Sequence, residues 1–273
     1  AEFCPSVPAA VKDSGRNEAV SSSILHDDAS GAGSLIVFVN GVMNPKDEAE
    51  ESWDERRASL ASSFPLAQDF LHVHNPTMSI SADRALNVLQ KNSKLAFGAS
   101  LLAFGAVVAD AYLEKGYTAQ VLVKSMEAMK EALQSQADKI AEKLAAAIED
   151  AVNDRKVKAV ARFERVTIVA HSHGGWVAKS WIESGFAEGI AAKHHVKLRV
   201  IAVGAPVLVA PGPGVNDVVQ LHNQGDLISL HFDSDGEQSP HVVSGNRGAW
   251  HASMKYLEWL NELVLEKRVK EAD

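Results

Sequence analysis

Val166-Thr167-Ile168-Val169-Ala170-His171-Ser172-His173-Gly174-Gly175 is the stretch on which the reading of this chain turns. Its first five residues form a continuous apolar run rich in β-branched side chains, the pattern of a strand buried on both faces of a parallel sheet. The text after Gly175 predicts a helix to about Glu183, stopped by Ser184-Gly185. A serine between such a strand and such a helix sits on a tight turn with its Oγ raised above the sheet. The glycines leave the space that close approach of strand and helix requires. The helix behind the serine aims free N–H groups and a positive dipole end at the same point.

Further strands are expected on both sides of this one. Leu35–Val39 is a second buried run, bounded by Gly33 and by Asn40-Gly41. Residues 45–62 read as a charged surface helix, and Phe70–His74 as a strand ended by Asn75-Pro76. Leu198–Val203 and Val218–His222 are two more strands, with a loop at 210–217 between them. His194 and His195 read as a solvated loop pair, and residues 233–248 as a Gly-, Ser- and Asp-rich loop. A last helix starts near Ala252 and carries Met254, Leu257, Leu260 and Val264. Strands alternating with helices predict the α/β class, a mostly parallel sheet covered by helices on both faces.

The region from about 80 to 155 is the least typical. Asp83–Leu113 is apolar and Ala-rich, and Leu95–Ala109 has Ser100 as its one polar residue. Fifteen helical residues span roughly 22 Å, too short for a bilayer core of roughly 30 Å. After Lys115-Gly116, the positions Leu122, Met126, Met129, Leu133, Ala137, Ile140, Leu144, Ile148 and Val152 make one apolar stripe on a long helix. Together the two segments predict an antiparallel helical hairpin inserted in the α/β domain of 34–273. Residues 1–33 read as an extended arm.

Composition limits the function classes. The chain has 273 residues, and 27 basic against 35 acidic side chains leave a net charge of −8. A mildly acidic chain without a basic block does not suit nucleic acid, nor an anionic membrane held by charge alone. Cys4 is the one cysteine, which excludes an intrachain disulfide and a cysteine-based zinc site. That usage, with no visible targeting segment, leans towards the cytoplasm; a secreted chain trimmed of its signal reads the same. Composition leaves the oligomeric state open.

The segment Ala170-His171-Ser172-His173-Gly174 resembles the nucleophile elbow of the α/β-hydrolase superfamily, Gly-x-Ser-x-Gly, with Ala170 at the first glycine. Downstream, Val203-Gly204-Ala205-Pro206 and Asn223-Gln224-Gly225-Asp226-Leu227-Ile228 resemble the class 3 lipases. The likeness covers roughly residues 34–42 and 163–260. It implies a serine hydrolase acting on a lipid or carboxylic ester, with a phospholipid or thioester as further options and no cofactor. A serine hydroxyl needs a base held by an acid, in the chain order Ser, Asp or Glu, His. The resemblance therefore implies Ser172 as nucleophile, Asp226 as acid and His251 as base. Asp217, Asp233 and Asp235 are alternative acids, and His241 an alternative base. The oxyanion donors it implies are the backbone N–H groups of His173 and of Val42 or Met43 in the loop Asn40-Gly41-Val42-Met43-Asn44. His171-x-His173 has a spacing that a metal site could use, but neighbours in an elbow point apart and no third ligand is evident. The segment 95–109 is expected either to act as a lid, cap or contact with a membrane or micelle surface, or to pack against the long helix. A hydrolase-like module without activity, binding partners through the hairpin, and an effector that attacks membrane lipids are the competing functions.

Overall fold

The computed structural model describes residues 33–41, 52–75, 119–157, 162–226, 242–245, 247 and 252–272. Their elements in chain order are β1 (Ser34–Val39), α1 (Trp53–Ser63), β2 (Ala67–Val73), α2 (Ala119–Val157) and β3 (Arg165–His171). There follow α3 (Gly174–Glu183), α4 (Phe186–His194), β4 (Lys197–Val203), β5 (Asp217–Asn223), β6 (Val242–Gly245) and α5 (Ser253–Ala272). The six strands form one sheet in the order β2-β1-β3-β4-β5-β6. Every neighbouring pair is parallel. The chain is thus an α/β fold with a six-stranded, all-parallel sheet flanked by helices.

The strand sequences show why both faces are covered. Alternate residues of a strand point to opposite faces, and here both sets are apolar. Leu35, Val37 and Val39 of β1, Val166, Ile168 and Ala170 of β3, and Leu198, Val200 and Ala202 of β4 join one core with residues of α2, α3 and α4. Ile36, Phe38, Val169, Ile201, Val203, Val219 and Leu221 join the other, beneath α1 and α5. The chain runs outward from β1 in one direction to β2, and from β3 in the other direction through β4, β5 and β6. The switch point between β1 and β3, at the carboxyl ends of the strands, is where an open α/β sheet leaves a crevice for a ligand.

The structure departs from the sequence expectations at four places. Ala137, Ile140, Leu144, Ile148 and Val152 of the apolar stripe are buried against the sheet beside α3, so this half of α2, expected within an insertion, is a layer of the α/β core. The first arm of the expected hairpin, with 95–109, lies outside the described residues. α2 runs past the sheet instead. The Leu133 carbonyl already stands level with the strand ends, where His173 meets it, so residues 119–132 continue for about 20 Å beyond that edge. Residues 242–245 form a sixth strand within a segment read as loop. Residues 186–194 form a helix that buries His194, which reads as solvated in the sequence. α1 is no purely surface helix either, because Leu60 and Arg56 are buried.

Candidate active site

The turn at Ser172 has the backbone of a forced corner. Ser172 has φ 56°, in the left-handed region that non-glycine residues rarely occupy. Such strain persists only where the surroundings over-determine it, and it concentrates at functional positions. The surroundings are visible. The Ser172 N–H donates to the Val203 carbonyl at 3.0 Å, which extends the β3–β4 ladder by one residue. Gly175 N–H then donates to the Ser172 carbonyl at 2.9 Å, closing the turn into α3. A Cβ at Gly174 would lie 2.6 Å from the Val39 carbonyl oxygen, and one at Gly175 would collide with Ala205. The two glycines of the elbow are therefore required by strand–helix contact, as the sequence suggests.

The loop after β1 crosses directly over this corner. A Cβ at Gly41 would sit 2.8 Å from the Ser172 Cβ and 3.2 Å from its Oγ. Only a glycine lets the chain pass this close to the serine side chain. Val42 and Met43, the expected oxyanion donors of this loop, lie outside the described residues.

The rings flanking the serine leave in opposite directions. His171 stays on the α5 face, with its ring centroid 6.0 Å from that of Tyr256. His173 goes to the α2 face, where both ring nitrogens are engaged. Asn75 Nδ2 donates to its Nδ1 at 2.9 Å, and its Nε2–H donates to the Leu133 carbonyl at 2.9 Å. Burial disfavours the imidazolium, and the bond to Leu133 opposes this only in part, so the pKa falls from 6.5 to about 4. His173 is a neutral structural imidazole, and the two rings do not converge on a metal. Among the described residues no group of three or more metal-ligating side chains occurs.

Asp226 stands at the same edge, three residues beyond β5, and is 2% exposed. Asn223 builds the turn that carries it. Its Oδ1 accepts from the N–H of Gly225 at 3.2 Å and of Arg247 at 2.9 Å, and its carbonyl accepts from the Asp226 N–H at 2.8 Å. Gln224 N–H donates to the Gly245 carbonyl, tying the turn to β6. One carboxylate oxygen, Oδ2, accepts from the buried Tyr256 hydroxyl at 2.6 Å. β4 alone separates β5 from β3, so the two turns lie roughly 10 Å apart across the sheet.

The alternative acid Asp217 is placed elsewhere. It opens β5 at the amino edge, where Arg199 donates to it. Seven residues of strand, roughly 20 Å, separate that edge from Ser172. Asp233, Asp235, His241 and His251 lie outside the described residues. Ala252, the neighbour of His251, accepts from the N–H groups of Lys255 and Tyr256 where α5 begins.

Three residues of this site carry roles that sequence reading does not assign. Tyr256 lies outside the apolar stripe of α5, and its partner is distant in sequence. Asn40 and Asn75 read as turn signals that end strands. Both are buried polar residues at the ends of adjacent strands, and an amide there must find partners. That requirement is the one signal that points to them.

Comparison with protein-family models, with curated proteins and with solved structures finds no match to this chain. Among the described residues no helix is long and apolar enough to cross a membrane.

Proposed function

We propose that this chain is an α/β-hydrolase-type serine hydrolase that cleaves a carboxylic ester or lipid by acyl transfer to water. The observation that carries the proposal is Ser172 at φ 56°, at the switch point of a parallel sheet and beneath the glycine of a crossing loop. In this reading Ser172 Oγ attacks the carbonyl carbon. His251 takes the hydroxyl proton and returns it to the leaving alkoxide, and Asp226 orients the imidazole. Water then attacks the acyl-enzyme through the same base and releases the acid.

The surroundings support each assignment. Asp226 is the acidic residue among those described that stands at the carboxyl edge two strands from the serine, and the Tyr256 hydroxyl donates to its Oδ2. α5 begins at Ser253, two residues after His251, and carries Tyr256 to Asp226. The oxyanion donors are the backbone N–H groups of His173, at the start of α3, and of Val42, one residue past Gly41. Preorganised donors of this kind commonly contribute the largest single share of such catalysis.

The insertion supports a lipid or long-chain ester. Asn75 leaves the sheet at the site's own edge, and α2 returns to it from about 20 Å beyond. The sequence between these two points, 76–118, contains the apolar 95–109 segment, whose composition suits a cap or lid over an apolar substrate.

The test is covalent labelling with a fluorophosphonate, with and without detergent micelles, followed by p-nitrophenyl esters of increasing chain length. Labelling of the parent but not of Ser172→Ala, with weak labelling of His251→Ala, is the expected result. A parent that stays unlabelled under both conditions overturns the proposal and leaves a binding module built on this fold.

A further inference from the structure

Asn40 and Asn75 form a reciprocal pair at the carboxyl ends of β1 and β2. The Asn75 N–H donates to Asn40 Oδ1 at 2.8 Å, and Asn40 Nδ2 donates to the Asn75 carbonyl at 3.1 Å. In return, Asn75 Nδ2 donates to the Asn40 carbonyl at 3.1 Å. Asn40 Nδ2 also donates to the Gly41 carbonyl at 2.7 Å, and His72 Nε2–H donates to Asn40 Oδ1 at 3.2 Å. The carbonyl groups on both sides of the Gly41 N–Cα–C unit are thereby held.

Asn75 reaches the elbow as well. Its second Nδ2 hydrogen goes to His173 Nδ1, and its Oδ1 accepts from Gln136 Nε2 of α2 at 3.2 Å. One fully buried amide thus joins four segments: the loop over the serine, the end of β2, the residue after the serine, and α2. The proton positions are fixed by consistency. Nδ2 faces a carbonyl, so it must donate; His173 Nε2 also faces a carbonyl, so it carries the ring's proton and Nδ1 accepts.

We infer that Asn75 is a positioning residue for the proposed reaction: it sets the Asn40-Gly41 loop that crosses Ser172 against His173, so that the loop and the His173 backbone donor keep a fixed spacing about the reacting carbonyl. The inference rests on the serine-hydrolase reading and names the machinery of that same site. Asn75 does not touch the substrate. It acts through the loop and through the His173 ring, and the packed alternative to it is a gap into which both can shift. A displacement of about 1 Å in such a constellation costs up to about 100-fold in rate.

The effect belongs to the transition state, where charge develops on the oxygen, and not to ground-state binding. Asn75→Ala is therefore expected to lower kcat about 10- to 100-fold on a short-chain p-nitrophenyl ester while KM stays within about threefold. Gln136→Leu, at a half-buried position on α2, loosens the same amide and is expected to lower kcat several-fold with the same KM. A purely structural role would leave kcat per labelled active site unchanged and would reduce only the fraction of folded protein. The measurement is therefore kcat and KM normalised to fluorophosphonate-titrated sites, with thermal unfolding of each variant alongside. An active parent with variants at the parent's kcat overturns the positioning role and leaves the hydrolase reading intact. If Asn75→Ala does not fold, Gln136→Leu decides by the same criterion. A parent that neither labels nor turns over any ester overturns the hydrolase reading itself, and the positioning role with it.

Discussion

The two edges of the sheet use the same six strands and opposite chemistry. At the amino edge, polar side chains are paired by charge: the buried Arg199 with the part-exposed Asp217, and Glu149 with the exposed Lys193. At the carboxyl edge between β2 and β3 the buried groups are uncharged amides and a neutral imidazole, held by short hydrogen bonds. Asp226, a buried carboxylate at the same edge, accepts from the Tyr256 hydroxyl. A tyrosine hydroxyl holds a carboxylate oxygen in place without itself carrying a charge. The contrast teaches that the amino edge is built for closure and the carboxyl edge for preorganisation at a strained corner.

The largest expected effect separates the two edges at their aspartates. Asp226→Asn should lower kcat by about 10⁴, the scale known for an acid that orients a catalytic imidazole. Asp217→Asn should leave kcat within twofold and lower stability only. Steady-state ester hydrolysis and urea unfolding of both variants check this, and the reverse pattern would exchange the roles of the edges.

The next effect is one of pH. The unfolded chain takes up a proton at His173 near pH 6.5, whereas the native ring resists it down to about 4. Stability linked to His173 is therefore complete above pH 6.5 and is lost as pH falls from there towards 4. The loss is on the order of 3 kcal/mol over that window, at about 1.4 kcal/mol per unit. Urea midpoints from pH 7 to 4 should fall less steeply in His173→Gln, and equal slopes would refute the assignment of a buried neutral ring.

Smaller in size is the demand for space at the elbow. Gly175→Ala drives a methyl group into Ala205 and should cost about 1–3 kcal/mol, read as a lowered unfolding midpoint. The smallest effect is expected at Tyr256→Phe. It leaves Asp226 Oδ2 without the hydroxyl and should lower kcat about tenfold, or about 1.4 kcal/mol, with little change in KM. A variant at full activity would show that the carboxylate needs no such hold.

The elbow was legible in the sequence because its causes are local. Strand, serine, glycines and helix are neighbours in the chain, and the contacts of Gly174 and Gly175 follow from the corner itself. The place of Asp226 at the carboxyl edge was reachable for a similar reason, since Asn223 shapes its turn within three residues. What the stripe on α2 packs against was not legible. Periodicity marks an apolar face but not its partner, and Ala137–Val152 meet the sheet. β6 is only four residues long, with Ser244 and Gly245 among them, so it gave no strand signal. The roles of Asn40, Asn75 and Tyr256 depend on partners far away in sequence, which a local pattern does not contain.

The pairing of β1 with β3 also has a consequence in time. Ser34 stands opposite Arg165, so the central ladder joins segments roughly 130 residues apart, and contacts of such range slow folding. Gly41 cannot meet Ser172 until the whole intervening chain, α2 included, has left the ribosome. Before that, β1 is an apolar strand with an open edge, of the kind that aggregates or recruits chaperones. The corner at Ser172 is therefore assembled late, and if Ser172 is the proposed nucleophile, refolding from denaturant should restore fluorophosphonate labelling only after helical structure has returned.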